Sequence, residues 1–200
     1  MSQYKAYPAY KDSGVEWIGQ VPEHWKIAQL KRLVSIQNGS DHKAIETDEG
    51  YPVYGSGGQF AYASNYMHEG ESVLLGRKGT IDRPMYVNDK FWTVDTIYWT
   101  KILPNANGKF CYYAATTIPF LYYSTNTALP SMTQTSLGAH LMAYPPLVEQ
   151  AAIAATLDRE TARIDALIGK TEQSITLLKE RRAAFITAAV TGQIDLRGEQ

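Results

Sequence analysis

Cysteine and long apolar runs are almost absent from this sequence. Its 200 residues include one cysteine, Cys111, which cannot form a disulfide within the chain. No stretch approaches the roughly 18 consecutive apolar residues that a membrane-spanning helix needs. No apolar run follows the first residues, as it would in a signal peptide. These absences predict a cytoplasmic protein with no membrane partner.

An excess of charge of one sign is missing as well. Nineteen Lys and Arg residues stand against 20 Asp and Glu residues, for a net charge of −1. Domains that bind nucleic acid commonly carry a basic face, because they neutralise phosphates. If DNA is the partner, the positive charge must therefore be concentrated on one side of the molecule.

Recognisable catalytic and metal-binding motifs are also lacking. No Gly-Lys-Ser or Gly-Lys-Thr follows a glycine-rich turn, so a P-loop is excluded. Asp41-His42-Lys43 has the acid-x-Lys spacing of many nucleases, but no matching acidic residue lies on a predicted strand upstream. Residues 144–147 (Tyr-Pro-Pro-Leu) lack the Asn or Asp that holds the target amine in amino-methyltransferases, and no glycine-rich S-adenosylmethionine loop is found. The scattered histidines match no metal-ligand spacing: His24, His42, His68 and His140. We therefore expect no catalysis, metal or cofactor in this chain.

The first three quarters of the chain are typical of a mainly β domain. Residues 1–25 are aromatic and irregular. Lys26–Ile36 has the apolar spacing of a helix, and the alternative is a short helix that runs into a strand. Period-two runs then predict five strands: Pro52–Tyr54, Phe60–Ala63, Ser72–Leu75, Met85–Val87 and Thr93–Ile102. A helix over 108–124, a loop over 126–136 and a strand over 137–144 follow. The expected fold class is α+β, with a mixed, mainly β-sheet domain followed by one long coiled-coil helix.

The sequence of the last quarter of the chain predicts the long helix, which should run over Pro145–Gly192. Proline favours a helix start and glycine a helix end. Apolar residues recur with a seven-residue period, as in a coiled-coil seam, although Thr161, Thr171 and Arg182 interrupt it. The seam residues are Leu157, Ile164, Ile168, Ile175, Leu178 and Phe185. At 1.5 Å per residue the helix is roughly 65 Å long, whereas the preceding residues would span roughly 35–40 Å if compact. A second polypeptide is expected along it; the alternative is a helix folded back on its own domain.

Three polar turns could contact DNA. Gly55-Ser56-Gly57-Gly58 follows a predicted strand and would let the backbone approach a ligand closely. Arg77 and Lys78 lie between glycines at an expected strand-turn-strand tip, where Arg can bind guanine or phosphate, and Arg83 extends this basic loop. Residues 130–136 are rich in hydroxyl and amide groups. The predicted DNA-binding residues are Lys43, Gly55, Ser56, Gly57, Gly58, Arg77, Lys78, Arg83, Ser131, Thr133 and Gln134. Each turn could equally be a solvated loop.

Longer motifs of the chain resemble those of a known protein family. Pro145-Pro146-Leu147-x-Glu149-Gln150, followed by Ile153-Ala154-x-x-Leu157-Asp158 and by Leu177-Leu178-Lys179-Glu180-Arg181-Arg182, closely resembles the helical region of type I restriction–modification specificity subunits. The ending over 188–195 is similar too. Trp17-Ile18-Gly19-x-Val21-Pro22-x-His24-Trp25, residues 51–58 and Leu75-Gly76-Arg77-x-Gly79-Thr80-Ile81 resemble the opening and the target-recognition domain of that family.

The resemblance implies a DNA-binding target-recognition domain over 1–144, a helical region for dimerisation and spacing over 145–192, and a tail over 193–200. Members usually carry two such domains and two such helices, so this chain is similar to a half-subunit or a truncated one. Two copies would imitate the full subunit, and a symmetric dimer would read a palindromic, two-part site. The implied partners are double-stranded DNA, a second copy or another half-subunit, the modification subunits, which bring S-adenosylmethionine and the catalysis, and a restriction subunit.

Two alternatives stay open. The chain could be a truncated interaction protein that binds modification subunits without reading DNA, which the balanced charge favours. It could also be a single-chain methyltransferase or nuclease, against which the missing motifs argue.

Overall fold

A computed structural model describes residues 5–123 and 130–198. The chain divides after Ala154 into two compact units. The strands are β1 Tyr10–Asp12, β2 Gln20–Pro22, β3 Lys26–Gln29, β4 Val34–Asn38, β5 Glu46–Thr47, β6 Tyr51–Gly55, β7 Gly58–Ala63, β8 His68–Gly76, β9 Met85–Thr93, β10 Ile97–Ile102 and β11 Leu141–Tyr144. The helices are α1 Gly108–Ala115, α2 Phe120–Tyr123, α3 Gln134–Ala139 and α4 Leu147–Val190, with 3-10 turns at Leu30–Arg32 and Lys43–Ile45.

The first unit is built on a seven-stranded mixed sheet with the order β4-β10-β8-β9-β6-β7-β5. All its pairs are antiparallel except β6 with β9. Two small antiparallel sheets, β1–β2 and β3–β11, complete the unit. In β4 the residues alternate between buried and half-buried, so one face of the strand meets the core.

The large sheet curls strongly. Both β9 and β10 run antiparallel to β8, which lies between them, yet only residues 94–96 join the two strands. In a flat sheet, this link would have to run back along the length of the strands to begin β10 parallel to β9. A chain advances at most ~3.6 Å per residue, so three residues are too few. Curling brings the strands around a small core of Leu74, Val87, Phe91, Ile97 and Trp99. The turn between β9 and β10 is thereby carried next to other loops of the sheet.

A larger core lies between β4, β8 and β10 on one side and α1 and α3 on the other. It includes Val34, Leu75, Tyr98, Phe110 and Leu137, all buried. Cys111 belongs to this core, and burial raises the pKa of its thiol to about 12. The thiol is therefore protonated and serves as a packing group.

Several local predictions need correction. Lys26–Ile36 is not one helix: β3 is followed by a 3-10 turn that runs into β4, so the alternative of a short helix leading into a strand holds only for its second half. Thr93–Ile102 is not one strand, because the backbone turns at Val94–Thr96. Residues 137–139 complete α3 and do not belong to a strand, and of the loop predicted over 126–136, residues 134–136 are helical while 126–129 lie outside the described residues. In Lys26–Ile36 and residues 137–139 a short apolar run fits either period, and tertiary pairing decided between them.

The long helix α4 is continuous over 44 residues. Gly192 follows it with a φ of +73°, and the amide of Gln193 donates to the carbonyl oxygen of Ala188 at 2.8 Å. This is the left-handed glycine termination of a helix. Among the described residues, no helix combines the length and the apolar character that crossing a bilayer requires.

Candidate nucleic-acid interface

Thr96 joins two of the turns that the sequence singled out. It occupies the turn Val94–Ile97, which the hydrogen bond from the Ile97 amide to the Val94 carbonyl closes at 3.2 Å. Its hydroxyl oxygen accepts from the amide of Ser56 at 3.3 Å. Its carbonyl oxygen accepts from the amides of Arg77 and Lys78 at 2.9 and 3.1 Å. The glycine-rich turn and the basic turn therefore meet at one residue.

The segment Pro130–Met132 joins the same group. The carbonyl of Pro130 accepts from the amide of Gly79 at 3.0 Å, and the amide of Met132 donates to the carbonyl of Arg77 at 2.9 Å. Lys78 and Ser131 face each other in an isolated antiparallel bridge. We call the segments Gly55–Gly58, Arg77–Gly79, Val94–Ile97 and Pro130–Met132 the four-loop cluster.

The glycine-rich segment is a two-residue hairpin turn. Gly55 pairs with Gly58, so Ser56 and Gly57 form the tip between β6 and β7. Gly57 is exposed, and a Cβ built on it would meet nothing within 4 Å. The backbone at this tip is therefore open to a ligand from outside.

The two cations of the cluster are held in place. Nη1 of Arg77 donates to the carbonyl oxygen of Asp95 at 3.2 Å, and its guanidinium lies 5.7 Å from the ring centre of Tyr98. Nζ of Lys78 lies 3.4 Å from Oδ2 of Asp95. One donor of the Arg77 fork is engaged in this contact, and a guanidinium has five, so an oriented fork of this kind suits phosphate or guanine.

The turn that carries Asp95 and Thr96 was missed by sequence reasoning, which placed both residues inside one strand. The signal was Val94-Asp95-Thr96, in which an acid interrupts an otherwise apolar and aromatic run. Arg77 and Lys78 in turn lie at the start of the loop 77–84 between β8 and β9 rather than at a tight tip. Arg83 lies in the same loop and is exposed.

Three of the predicted DNA-binding residues lie outside the four-loop cluster. The Oγ1 of Thr133 accepts from the amide of Ser136 at 3.0 Å and caps α3. The amide nitrogen of Gln134 donates to the carbonyl of Ile36 at 2.8 Å, which covers the outer edge of β4. Lys43 is exposed in the 3-10 turn before β5, and its amide donates to Asp41 at 3.2 Å.

Two of the histidines pack against tryptophan rings. The ring of His68 lies 4.6 Å from that of Trp99, and the ring of His140 lies 4.8 Å from that of Trp17. Burial lowers the pKa of both imidazoles. Over 5–123 and 130–198, no group of three or more His, Cys, Asp or Glu side chains is arranged to hold a metal ion.

The first turn of α4 is fastened to the N-terminal segment of the first unit. The Glu149 carboxylate accepts from the Tyr7 hydroxyl at 2.6 Å, from Nε2 of His24 at 2.8 Å and from the Trp25 indole at 3.0 Å. Burial, and then the Glu149 hydrogen bond, raises the pKa of Tyr7 to about 12. His24, Trp25 and Glu149 lie in the motifs that carried the resemblance at both ends of the domain.

Gln150 fastens the same turn from the other side and is fully buried. Its side-chain oxygen accepts from the amide of Asn107 at 2.9 Å, while its nitrogen donates to the carbonyls of Asn105 and Pro145 at 3.1 and 3.0 Å. The first turn of α4, which belongs to the first unit, is thus hydrogen-bonded on two sides.

The second unit exposes apolar side chains along α4. Seam residues Ile164, Ile168, Ile175, Leu178 and Phe185 are 46% to 63% exposed, and Leu157 is half-buried. Thr161 and Thr171 donate to carbonyls one turn earlier, at 2.7 and 2.9 Å, so their hydroxyls are satisfied within the helix. Leu167, Leu177 and Ile186 are also exposed, and the apolar surface is therefore wider than the two seam rows.

The family model of the type I restriction modification DNA specificity domain matches residues 22–177, more than three quarters of the chain. The chain belongs to this family. The resemblance of its motifs is confirmed by this match. The expected fold class is confirmed by the structure itself, a mainly β domain followed by one long helix.

Individual proteins that are similar to this chain are type I specificity subunits. The type I restriction enzyme EcoDI specificity subunit of Escherichia coli is 24% identical over 195 residues, which cover 88% of this chain and 40% of the relative. The EcoBI specificity subunit of Escherichia coli is 23% identical over 201 residues, covering 92% and 42%. The chain thus spans about two fifths of the length of the curated relatives it matches.

A solved structure of a type I restriction–modification system contains a chain with the same fold. It superimposes with a TM-score of 0.73 at 18% sequence identity, over 90% of this chain and 48% of that one. At this identity the likeness establishes the fold of the specificity domain.

Proposed function

We propose that this specificity domain is the DNA sequence-specificity component of a type I restriction–modification complex. Residues 1–144 form the target-recognition domain, 145–192 the helical region and 193–200 the tail. The domain binds one half of a bipartite DNA site and has no catalysis of its own. S-adenosylmethionine belongs to the modification subunits, which the chain positions together with a restriction subunit.

The convergence of the four-loop cluster supports this proposal most directly. Segments far apart in the chain bring together an open glycine turn, two cations and the hydroxyl-bearing segment Pro130–Met132. A protein of net charge −1 must gather its cations where the phosphates lie. Arg77 and Lys78 meet this need, while exposed Arg83 and Lys43 are further candidates for phosphate contact.

The exposed apolar seam supports pairing with a second copy or another half-subunit. Complete burial of one Ile, Leu or Phe contributes ~1.5–3 kcal/mol, and an isologous dimer counts each residue twice. Association costs ~4–15 kcal/mol, so several seam residues have to be buried together. The apolar residues outside the seam are available to the modification subunits.

Selection from a partially randomised duplex library tests DNA reading. The wild-type chain, with its modification partner, should select a two-part sequence, and its affinity should fall with salt. Arg77→Ala with Lys78→Ala should reduce the slope of log K against log salt by up to ~2. Lys11→Ala, an exposed lysine on β1, is the control and should leave the slope unchanged. An unchanged slope and selected sequence in the double variant would remove these residues from the interface.

A second candidate function is an interaction protein that occupies modification subunits without reading DNA. The nearly balanced charge and the pairing of Lys78 with Asp95 favour it. It predicts stable binding to a modification subunit and no salt-dependent DNA affinity, with or without that partner. The same library experiment distinguishes the two functions.

A further inference from the structure

Asp95 stands out among the residues of the four-loop cluster because it is acidic. Its side chain is 62% exposed at the corner of the turn Val94–Ile97. Its carboxylate lies beside Nζ of Lys78, and its carbonyl oxygen beside the guanidinium of Arg77. Asp95 therefore contacts both cations that would meet DNA, Lys78 through its exposed carboxylate and Arg77 through its carbonyl oxygen.

Phosphate cannot be the ligand of this carboxylate. Two negative charges at close range repel each other, and a purely phosphate-binding surface gains nothing from an acid at its centre. On duplex DNA the groups that donate to a carboxylate are exocyclic amino groups on base edges, and Asp pairs with N4 of cytosine in the major groove. The chemistry of Asp95 therefore suits a base edge.

The ion pair between Asp95 and Lys78 leaves the Asp95 carboxylate available to DNA. The Lys78–Asp95 contact is 3.4 Å long between two well-exposed side chains, and such surface pairs contribute little to stability. Lys78 can turn to a phosphate when DNA binds. The Asp95 backbone stays fixed, since its carbonyl holds Arg77 and the neighbouring Thr96 holds three amides. A rigid turn of this kind is what base discrimination needs.

We propose that Asp95 determines specificity by accepting a hydrogen bond from N4 of a cytosine in the major groove, next to a base or phosphate held by Arg77. This proposal rests on the proposed function. It names one of the bases that the domain reads and gives Asp95 a role distinct from that of a counter-ion. Thymine presents an acceptor, O4, where cytosine presents the amino group, so the carboxylate repels it.

Two variants test this assignment. Asp95→Asn keeps the shape but replaces one acceptor oxygen with a donating NH2 group, so the side chain can accept from N4 of cytosine or, after rotation, donate to O4 of thymine, and discrimination is lost. Asp12→Asn makes the same charge change on β1, in a separate sheet, and its Oδ1 can still accept from the amide of Gly14. Thermal melting verifies folding, and Asp95→Ala serves as a second variant if Asp95→Asn melts early. Each protein, with its modification partner, is selected against the duplex library, and cytosine-to-thymine changes are then measured singly.

In wild type and Asp12→Asn we expect one position at which thymine costs ten- to a hundredfold in affinity. In Asp95→Asn that cost should fall below about threefold, with other positions unchanged. An unchanged cost at every position, or an even gain of affinity on all sequences, would overturn the proposal and leave Asp95 a counter-ion. If the wild-type chain selects no sequence at all, the proposed function itself fails.

Discussion

Single residues carry the join between the domain and its long helix. Glu149 and Gln150 are neighbours in the sequence, yet each binds a separate part of the first unit. Glu149 holds the N-terminal segment through three side-chain donors, and Gln150 holds the loop before α1. Because both groups are polar and largely withdrawn from water, their hydrogen bonds are costly to lose.

Gln150→Leu should therefore destabilise the protein by about 2–4 kcal/mol. The substitution removes the partners of one buried amide and two carbonyls, each of which is costly to leave unpaired. Chemical unfolding of the full chain measures the loss. Gln173→Leu is the matched control, since Gln173 is exposed on the same helix and should change stability by less than about 0.5 kcal/mol. Equal effects of the two substitutions would contradict the role given to Gln150.

Glu149 makes the stability depend on acid. Burial by itself would raise the pKa of this carboxyl, but hydrogen bonds from Tyr7, His24 and Trp25 outweigh it, and the pKa is lowered. A carboxyl whose folded pKa is depressed adds stability above its unfolded pKa of about 4.3. That stability is lost as the pH falls from there through the folded pKa.

Glu149→Gln should accordingly flatten the fall of unfolding free energy below about pH 4.3, because this carboxyl no longer titrates. Above that pH the variant should be uniformly less stable than wild type. Unfolding by denaturant across the acid range measures both effects. Glu180→Gln, at an exposed position on α4, should follow the wild-type profile; a wild-type profile in Glu149→Gln would show that the carboxylate contacts are unimportant.

At the scale of the element, close packing at a strand end shapes the basic loop. A Cβ at Gly76, the last residue of β8, would lie 2.3 Å from the carbonyl oxygen of Thr80 and 2.6 Å from the Cα of Ile81. Both neighbours are backbone atoms and cannot rotate away. The loop can therefore fold back against the end of β8 only when that residue is glycine.

Gly76→Ala should lower stability by about 1–3 kcal/mol or more, as overpacking does, and should weaken DNA binding by displacing Arg77 and Lys78. Gly57→Ala is the contrasting variant, since its Cβ would meet nothing. We expect it to melt like wild type. If it binds DNA more weakly while melting normally, close approach of the turn to DNA is supported; early melting of Gly57→Ala would contradict the open turn.

At the scale of the whole molecule, the exposed seam should govern assembly. The chain should scatter light as a particle of twice its 22.3 kDa mass at micromolar concentration. Ile168→Asp with Ile175→Asp should give a monomer, because each lost contact counts twice across a two-fold axis. Leu177→Asp is the control, since Leu177 is as exposed but lies outside the seam rows. A monomeric wild type, or identical behaviour of all variants, would exclude pairing through this seam.

The sequence by itself determined the elements whose signals are local. A seven-residue period sustained over five heptads, with proline before and glycine after, left one interpretation for α4. Period-two runs located β6, β7 and β8 within a few residues. The hairpin turn within Gly55–Gly58 was also visible, because glycine is favoured where a turn needs a positive φ, as Gly58 does at +119°.

Only the tertiary structure decided which loops meet. Asp95 and Thr96 were hidden inside an apparent strand, since a two-residue corner leaves the period-two pattern almost intact. The structural contacts of Thr133 and Gln134, which cap α3 and cover β4, were not visible in the sequence either, and their contact with DNA stays a prediction. Hydrogen bonds between residues dozens of positions apart depend on how the sheet curls, and that curl comes from packing around Phe91 and Trp99 rather than from any local signal.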